Sequence, residues 1–112
     1  MRTNNRLIVL ERAIEAVTLL RPVVERIRQR DRSLADQIRR AASSIVLNVG
    51  EGAYSDPGNR RARLHTACGS ANETRVALRV AAAWGYLEIT SVNAVTAKLD
   101  EVVAMLWQWK GQ

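Results

Sequence analysis

The sequence has few of the residues that usually carry chemistry or cross-links. Cys68 is its only cysteine and His65 its only histidine. A single cysteine cannot form a disulfide within the chain, so we expect a reducing, cytoplasmic location. Phenylalanine is absent, and Pro22 and Pro57 are the only prolines, which leaves long segments without a helix breaker. Because no run of about 18 apolar residues occurs, we expect no membrane-spanning segment.

The scarcity of ligating and nucleophilic side chains argues against an enzyme. His65 and Cys68 supply two ligands at most, whereas a zinc site takes three or four. Glu51 and Glu73 could form a carboxylate pair, but the sequence lacks the Glu-x-x-His motif of di-iron bundles. No glycine-rich loop has the spacing that cradles phosphate. We therefore predict a protein without catalytic activity, metal or cofactor.

The charge of the chain is one-sided. It contains 17 basic and 11 acidic residues, a net charge of +6, and only Lys98 and Lys110 among the basic residues are lysines. Arginine matches the geometry of phosphate, and such a basic balance is typical of nucleic-acid binders, although it also serves solubility. The predicted phosphate contacts are Arg39, Arg40, Arg60, Arg61 and Arg63, followed by Arg26, Arg28, Arg30 and Arg32. The last four have an alternative role, because cations at a helix C-terminus stabilise the helix dipole.

Apolar residues recur at helical spacing in four segments, at about residues 5–30, 33–51, 57–84 and 91–109. The predicted apolar stripes are Leu10, Ile14, Val17, Leu20, Val24 and Ile27; Leu34, Ile38, Ala41, Ile45 and Asn48; Leu64, Ala67 with Cys68, Ala71, Thr74, Leu78 and Ala81; and Val92, Val95, Leu99, Val102, Leu106 and Trp109. No segment shows a strand pattern. We predict a single all-α domain over residues 1–112, an antiparallel up-and-down four-helix bundle.

Caps and breakers mark the predicted helix ends. The predicted N-caps are Ser33, Asp56 (with Pro57 in the first turn) and Thr90 or Ser91, and the predicted stops are Gly50 or Gly52 and Gly85. Pro22 lies inside the first segment, where proline removes a hydrogen bond. Since the apolar spacing continues beyond it, we favour one kinked helix over two separate helices.

A polar set interrupts the apolar stripes of the second and third segments. Asn48 and Glu51 end one helix, and Ser70 and Glu73 lie in the next, which should run antiparallel to it. We predict a shared hydrogen-bond network of these four residues that fixes helix pairing. The alternative is that both glutamates are solvated and Asn48 is simply a residue of the helix end.

The last helix carries a second apolar stripe beside its first. Val103 and Trp107 belong to this stripe, and Trp109 lies on the neighbouring one. Two exposed tryptophans would be costly, so we predict that Val103, Trp107 and Trp109 form a subunit interface. The alternative is that both tryptophans fold back over the open end of the bundle.

Two stretches resemble the four-helix-bundle family of ribosomal RNA intervening-sequence proteins, which includes the accessory variability protein of diversity-generating retroelements. The first reads Gln37-Ile38-Arg39-Arg40-Ala41-Ala42-Ser43-Ser44-Ile45, then Leu47-Asn48-Val49 and Gly50-Glu51-Gly52, and the second reads Gly69-Ser70-Ala71-Asn72-Glu73, then Leu78 and Gly85-Tyr86-Leu87. The resemblance implies a homopentameric barrel of four-helix bundles with a basic surface. It also implies nucleic acid and, for the retroelement member, a reverse transcriptase as partners.

Charge and resemblance lead to the same expectation. We expect a non-enzymatic basic oligomer, which the resemblance implies is a pentamer. We expect it to bind DNA or RNA electrostatically, as an accessory factor to a reverse transcriptase or in association with ribosomal RNA. The alternative is a protein-interaction scaffold that does not itself contact nucleic acid.

Overall fold

The computed structural model of the chain describes residues 3–110, with side chains from Arg6 onward. Four α-helices occupy almost all of it: α1 Thr3–Arg28, α2 Arg32–Ala53, α3 Pro57–Ala83 and α4 Asn93–Lys110. A short 3-10 turn, Ile89–Val92, precedes α4. Since residues 3–110 contain four helices and no strand, the predicted all-α four-helix fold is confirmed. None of these helices is long and apolar enough to cross a membrane.

Neighbouring helices run antiparallel. Arg12 of α1 contacts Glu101 of α4, and Glu15, one turn further along α1, contacts Lys98, one turn earlier in α4. In the same way, α2 and α3 meet at Ser44–Ser70 and again at Glu51–Arg63. Each helix packs against the helices before and after it, and α1 closes the bundle against α4. The result is an up-and-down bundle measuring 42 × 22 × 18 Å.

The core follows the predicted stripes on three of the helices. All six predicted residues of the final stripe, from Val92 to Trp109, are buried, and so are the predicted residues of α3 except Cys68, which is half-buried. On α2 the stripe continues to Val49 and Gly52, and Asn48 lies at its half-buried edge. Alanines dominate the contacts of α3, and short side chains allow helix axes to approach closely.

The predicted stripe of α1 is wrong in its first half. Val9, Ala13, Ala16 and Leu20 are buried, whereas the predicted Ile14 remains 41% exposed. The helix has two adjacent apolar faces, and the one with alanines at its centre turns inward. The remaining face, with Leu7 at 50% exposure and Leu10 and Val17 half-buried, lies toward solvent.

The observed helix ends match only some of the predicted caps and stops. Asp56 caps α3 by accepting a hydrogen bond from the Asn59 backbone N–H over 3.0 Å, as predicted. Gly85 follows the end of α3 with φ of +80°, a conformation that favours glycine, which confirms that predicted stop. Ser33 is not the cap of α2, because Asp31 accepts from the Leu34 N–H over 2.9 Å and starts the helix two residues earlier. The helix α1 continues through Pro22 without interruption.

Glycine does not stop α2, contrary to prediction. The helix continues past Gly50 and Gly52 to Ala53. Gly52 is buried against α3, and a Cβ atom at this position would lie 3.2 Å from Cδ2 of Leu64. The absence of a side chain at Gly52 therefore allows α2 and α3 to approach closely next to their connection.

Candidate functional site

An open groove between α2 and α3 brings together three of the predicted phosphate-binding arginines. Arg39 and Arg40 lie on α2, and Arg63 lies on α3 at the other end of the groove, opposite Glu51. The other lining residues are Ser43, Ser44, Leu47, Asn48 and Glu51. Their positions follow from helical periodicity, because residues three and four apart share one face of α2. The groove thus combines cations with hydroxyl and amide groups, which are the donors that bind phosphate oxygens.

Most of the nine predicted arginines are free of acidic partners. Within residues 3–110, Arg28 and Arg63 are the two of the nine that have a carboxylate oxygen within 4.0 Å. The remaining seven are Arg26, Arg30, Arg32, Arg39, Arg40, Arg60 and Arg61. An arginine without an intramolecular carboxylate keeps its charge available to an external anion, so these seven form the positive surface of the bundle.

The nine arginines do not form one compact cluster. Arg26 to Arg32 lie around the connection between α1 and α2, and Arg60 and Arg61 lie in the first turn of α3 at the opposite end. These two ends are separated by the 22-residue α2, which is about 33 Å long at 1.5 Å per residue. Arg39 and Arg40 lie between them. The predicted contacts therefore extend along the bundle as a stripe.

An ion pair between Arg28 of α1 and Asp36 of α2 links the two helices on either side of their connection. Arg28 Nη1 donates to Asp36 Oδ1 over 2.7 Å. This hydrogen bond lowers the pKa of Asp36, with smaller Coulombic contributions from Arg28, Arg39 and Arg40, and it raises the pKa of Arg28. Arg39 and Arg40 thus lie near enough to Asp36 for their charges to favour its ionised form.

The predicted polar network exists in a different form. Ser70 Oγ donates to Ser44 Oγ over 2.8 Å, and Asn48 Nδ2 donates to the same hydroxyl over 3.1 Å and to the Ser44 carbonyl over 2.8 Å. Ser44 is therefore the centre of the network, and its position one turn before Asn48 was the available signal. The predicted membership of the glutamates is wrong: Glu51 pairs with Arg63 over 3.0 Å, and Glu73 is exposed.

The two tryptophans of α4 lie in different environments. Trp109 is only 2% exposed and belongs to the core of its own chain, so the prediction that it is an exposed interface residue is wrong. Trp107, two residues earlier, points away from the core and is 61% exposed, with Lys110 Nζ 4.3 Å from its ring centroid. Val103 is half-buried beside it. An exposed apolar surface thus remains on α4, smaller than predicted.

His65 and Cys68 lie near this surface without forming a metal site. Lys110 Nζ is 3.3 Å from His65 Nδ1. Burial raises the pKa of the Cys68 thiol, although the charges of Lys110 and Arg75 lower it. Among residues 3–110, no three His, Cys, Asp or Glu side chains gather closely enough to hold a metal ion.

Comparison with known proteins identifies the family. The model of the family described as "23S rRNA-intervening sequence protein" matches residues 5–108. The chain belongs to this family. The match covers both stretches that carried the resemblance in the sequence, which confirms that prediction.

A solved protein structure has the same fold as this chain. The chain is similar to a protein of unknown function from the S23 ribosomal protein family of Bacteroides thetaiotaomicron, with a TM-score of 0.90 and 18% sequence identity. The alignment covers 96% of this chain and 99% of the other. At 18% identity, this similarity is evidence for the fold of the rRNA-intervening sequence protein and not for its function. No curated protein matches the chain.

Proposed function

We propose that this member of the 23S rRNA-intervening sequence protein family is a non-enzymatic oligomer that binds the phosphate backbone of nucleic acid along α2. The observation that carries the proposal is the stripe of arginines without acidic partners, centred on Arg39 and Arg40 in the groove between α2 and α3. Such cations bind phosphates by neutralising charge and releasing counterions.

The form of the stripe favours weak sequence specificity. The groove is open, and the arginines of the stripe are spread over the length of α2, about 33 Å, rather than gathered on one inserted helix tip. Contacts to phosphates position a protein but do not read bases. No aromatic side chain lines this groove, so base stacking has no platform there.

Two opposite faces of the bundle support an assembly. On one face, Leu7 and Ile14 of α1 are exposed beside the α1–α2 groove. On the opposite face, Trp107 and Val103 line the groove between α3 and α4. A ring requires two different complementary surfaces on every subunit, and this chain offers two apolar ones. The number of five subunits rests on the resemblance alone.

Salt-dependent binding tests the nucleic-acid proposal directly. Purified protein is titrated with fluorescent duplex DNA, single-stranded DNA and an RNA hairpin from 23S rRNA at several salt concentrations. We expect the affinity to fall steeply with salt and to differ little between sequences of one type, since each neutralised phosphate of B-DNA contributes about 0.9 to the logarithmic slope. A flat salt response for all three ligands would exclude the proposal.

A protein-interaction scaffold is the second candidate, because large apolar side chains remain exposed. Trp84 and Tyr54 are examples at opposite ends of the bundle. On this alternative the partner is a protein, such as a reverse transcriptase in a retroelement setting. Affinity capture with and without nuclease separates the two functions: partners lost on nuclease treatment support nucleic-acid binding, and a defined nuclease-resistant protein supports the scaffold.

A further inference from the structure

Within residues 3–110, a small pocket at one end of the bundle is lined by four basic residues and no acidic one, and one of the four, Lys110, directs its Nζ toward His65. The pocket lies where the N-terminus of α3 meets the start of α1 and the end of α4. Its lining consists of Arg6, Pro57, Arg60, Arg61, Trp109 and Lys110. We propose that this pocket binds a single phosphate-sized oxyanion, such as one phosphate group of a nucleotide.

The pocket contains buried N–H groups that have no acceptor. The indole Nε1–H of Trp109 and the Nε–H of Arg6 are both inaccessible to solvent and unpaired within the described part of the chain. Trp109 is the more informative of the two because its side chain is 2% exposed. A buried donor without a partner loses roughly 1–3 kcal/mol, so a second role is expected of it. An oxyanion in the pocket would supply the missing acceptor once the neighbouring side chains uncover these N–H groups.

Two of the four basic residues, Arg60 and Arg6, make contacts within the bundle that restrict their side chains. Arg60 donates from Nε to the Gly52 carbonyl over 3.3 Å and from Nη2 to the Ser55 carbonyl over 3.2 Å, which fixes its guanidinium and leaves further N–H groups free. The Arg6 guanidinium lies 5.7 Å from the centroid of the Trp109 ring. Preorganised donors bind an anion at a lower entropy cost than flexible ones.

The site does not depend on free backbone groups of α3. Asp56 already accepts hydrogen bonds from the backbone N–H and the Nδ2 of Asn59, which lowers the pKa of Asp56. The helix dipole still contributes positive potential near Pro57, but the donors come from side chains. Asp56 is the nearest acidic residue along the chain, and both of its carboxylate oxygens accept hydrogen bonds from Asn59.

The volume of the pocket limits which ligands can fit inside it. The pocket has a volume of about 50 Å³. A water molecule needs about 10–15 Å³ measured in this way, so the pocket holds a few waters or one tetrahedral oxyanion and excludes a nucleobase. The inference deepens the proposed function, since Arg60 and Arg61 belong to both. It remains separable from it, because a free small anion tests the pocket without nucleic acid.

Nuclear magnetic resonance of the tryptophan indole groups provides the test. The ¹⁵N-labelled protein is titrated with inorganic phosphate at constant ionic strength, with chloride as the control, and the three indole signals are assigned with Trp84→Phe and Trp107→Phe. We expect the Trp109 signal alone to shift in a saturable way. A dinucleotide with a 5′-phosphate and the same dinucleotide with a 5′-hydroxyl then distinguish a nucleotide phosphate from the free ion.

Matched variants decide whether the pocket causes the shift. We expect Arg61→Gln to weaken phosphate binding about tenfold, which corresponds to about 1.4 kcal/mol, the scale of one charge-assisted hydrogen bond. Arg79→Gln, which removes an equal charge in the groove between α3 and α4, should leave the affinity unchanged. Absence of a saturable Trp109 shift, or equal affinities in both variants, would overturn the inference even if nucleic-acid binding persists. A retained shift together with lost nucleic-acid binding would uphold the pocket and overturn the proposed function.

Discussion

The hydroxyl of Ser70 on α3 donates a hydrogen bond to the hydroxyl of Ser44 on α2 over 2.8 Å. This side-chain bond joins the centres of two helices whose buried faces are otherwise almost entirely apolar. It lies beside the arginine groove, since Ser44 also lines that groove. The same residue therefore fixes the pairing of α2 with α3 and borders the candidate binding surface.

Removal of this bond should reduce stability by a modest amount. Ser44→Ala and Ser70→Ala each leave the other hydroxyl without its half-buried partner, and we expect each to lower the free energy of unfolding by about 1 kcal/mol. The double variant should cost less than the sum of the two, by about 0.5–1 kcal/mol, because one bond is counted twice. Urea unfolding measures all three, with the exposed Ser43→Ala as control. Strict additivity would contradict the shared bond.

Neutralising the centre of the stripe should change the salt dependence of binding. For Arg39→Gln/Arg40→Gln we expect the logarithmic salt slope for duplex DNA to decrease by about 1.8, or 0.9 for each lost phosphate contact. Filter binding or fluorescence anisotropy across a salt series measures the slope. Arg79→Gln on another face of the bundle should leave it unchanged, and an equal loss in this control would show that net charge alone drives binding.

The exposed apolar surface of α4 should determine the assembly state. Since Trp107 is 61% exposed and Trp109 is buried, we expect Trp107→Gln to dissociate the oligomer without unfolding the subunit. Multi-angle light scattering gives the mass, and circular dichroism verifies the helices. Trp84→Gln removes an equally large exposed ring at the other end of the bundle and should keep the oligomer intact. A wild-type monomer at micromolar concentration would refute the assembly.

Two glycines inside helices should respond to alanine in opposite ways. At Gly69 a Cβ atom would meet nothing within 4 Å, so Gly69→Ala should raise the free energy of unfolding by about 0.5–1 kcal/mol through helix propensity. At Gly52 the Cβ would lie 3.2 Å from the buried Leu64, and we expect a net loss of about 1 kcal/mol from overpacking. Thermal and urea unfolding compare the two. Equal gains would show that Leu64 has room to move.

Acid should weaken the bundle through carboxylates at its connections. The hydrogen bond from Arg28 lowers the pKa of Asp36, and hydrogen bonds from Asn59 lower the pKa of Asp56, both below the ordinary value of 3.8. A lowered folded-state pKa gives stability that is present above pH 3.8 and is lost as the pH falls through the folded value. Unfolding between pH 2 and 6 measures this loss. In Asp36→Asn, the free energy of unfolding should decrease less as the pH falls over this range. A decrease equal to that of the wild type would exclude the contribution of Asp36.

Much of the fold could be predicted from the sequence because the helical stripes are regular. The six apolar positions from Val92 to Trp109 on α4 and its preceding turn specify one buried face, and the small residues of α3 specify another. On α1 the sequence offers two apolar faces, and periodicity alone cannot choose between them. The choice depends on which face presents alanines to the other helices, which is a property of the assembled bundle.

The candidate site was less predictable for a related reason. Arginine content indicated a positive surface, but pairing with Glu51 or Asp36 depends on which helices become neighbours. The pocket at the end of the bundle joins Arg6 and Lys110, which are separated by almost the whole chain. No pattern within a short stretch of sequence indicates that two residues so far apart in the chain lie together. The spacing of Trp109 placed it on the apolar stripe of α4, but spacing does not tell burial within one chain from burial between subunits, so its assignment to an interface was wrong.

One carboxylate joins two connections at the end of the bundle remote from that pocket. Asp31 caps α2 and also accepts from the Tyr86 hydroxyl over 3.0 Å, while the Tyr86 backbone N–H bonds the Ala81 carbonyl and closes α3. Fraying of either connection therefore removes a bond from the other. The backbone amides of both should exchange with deuterium at a common rate, as one cooperative unit of local unfolding.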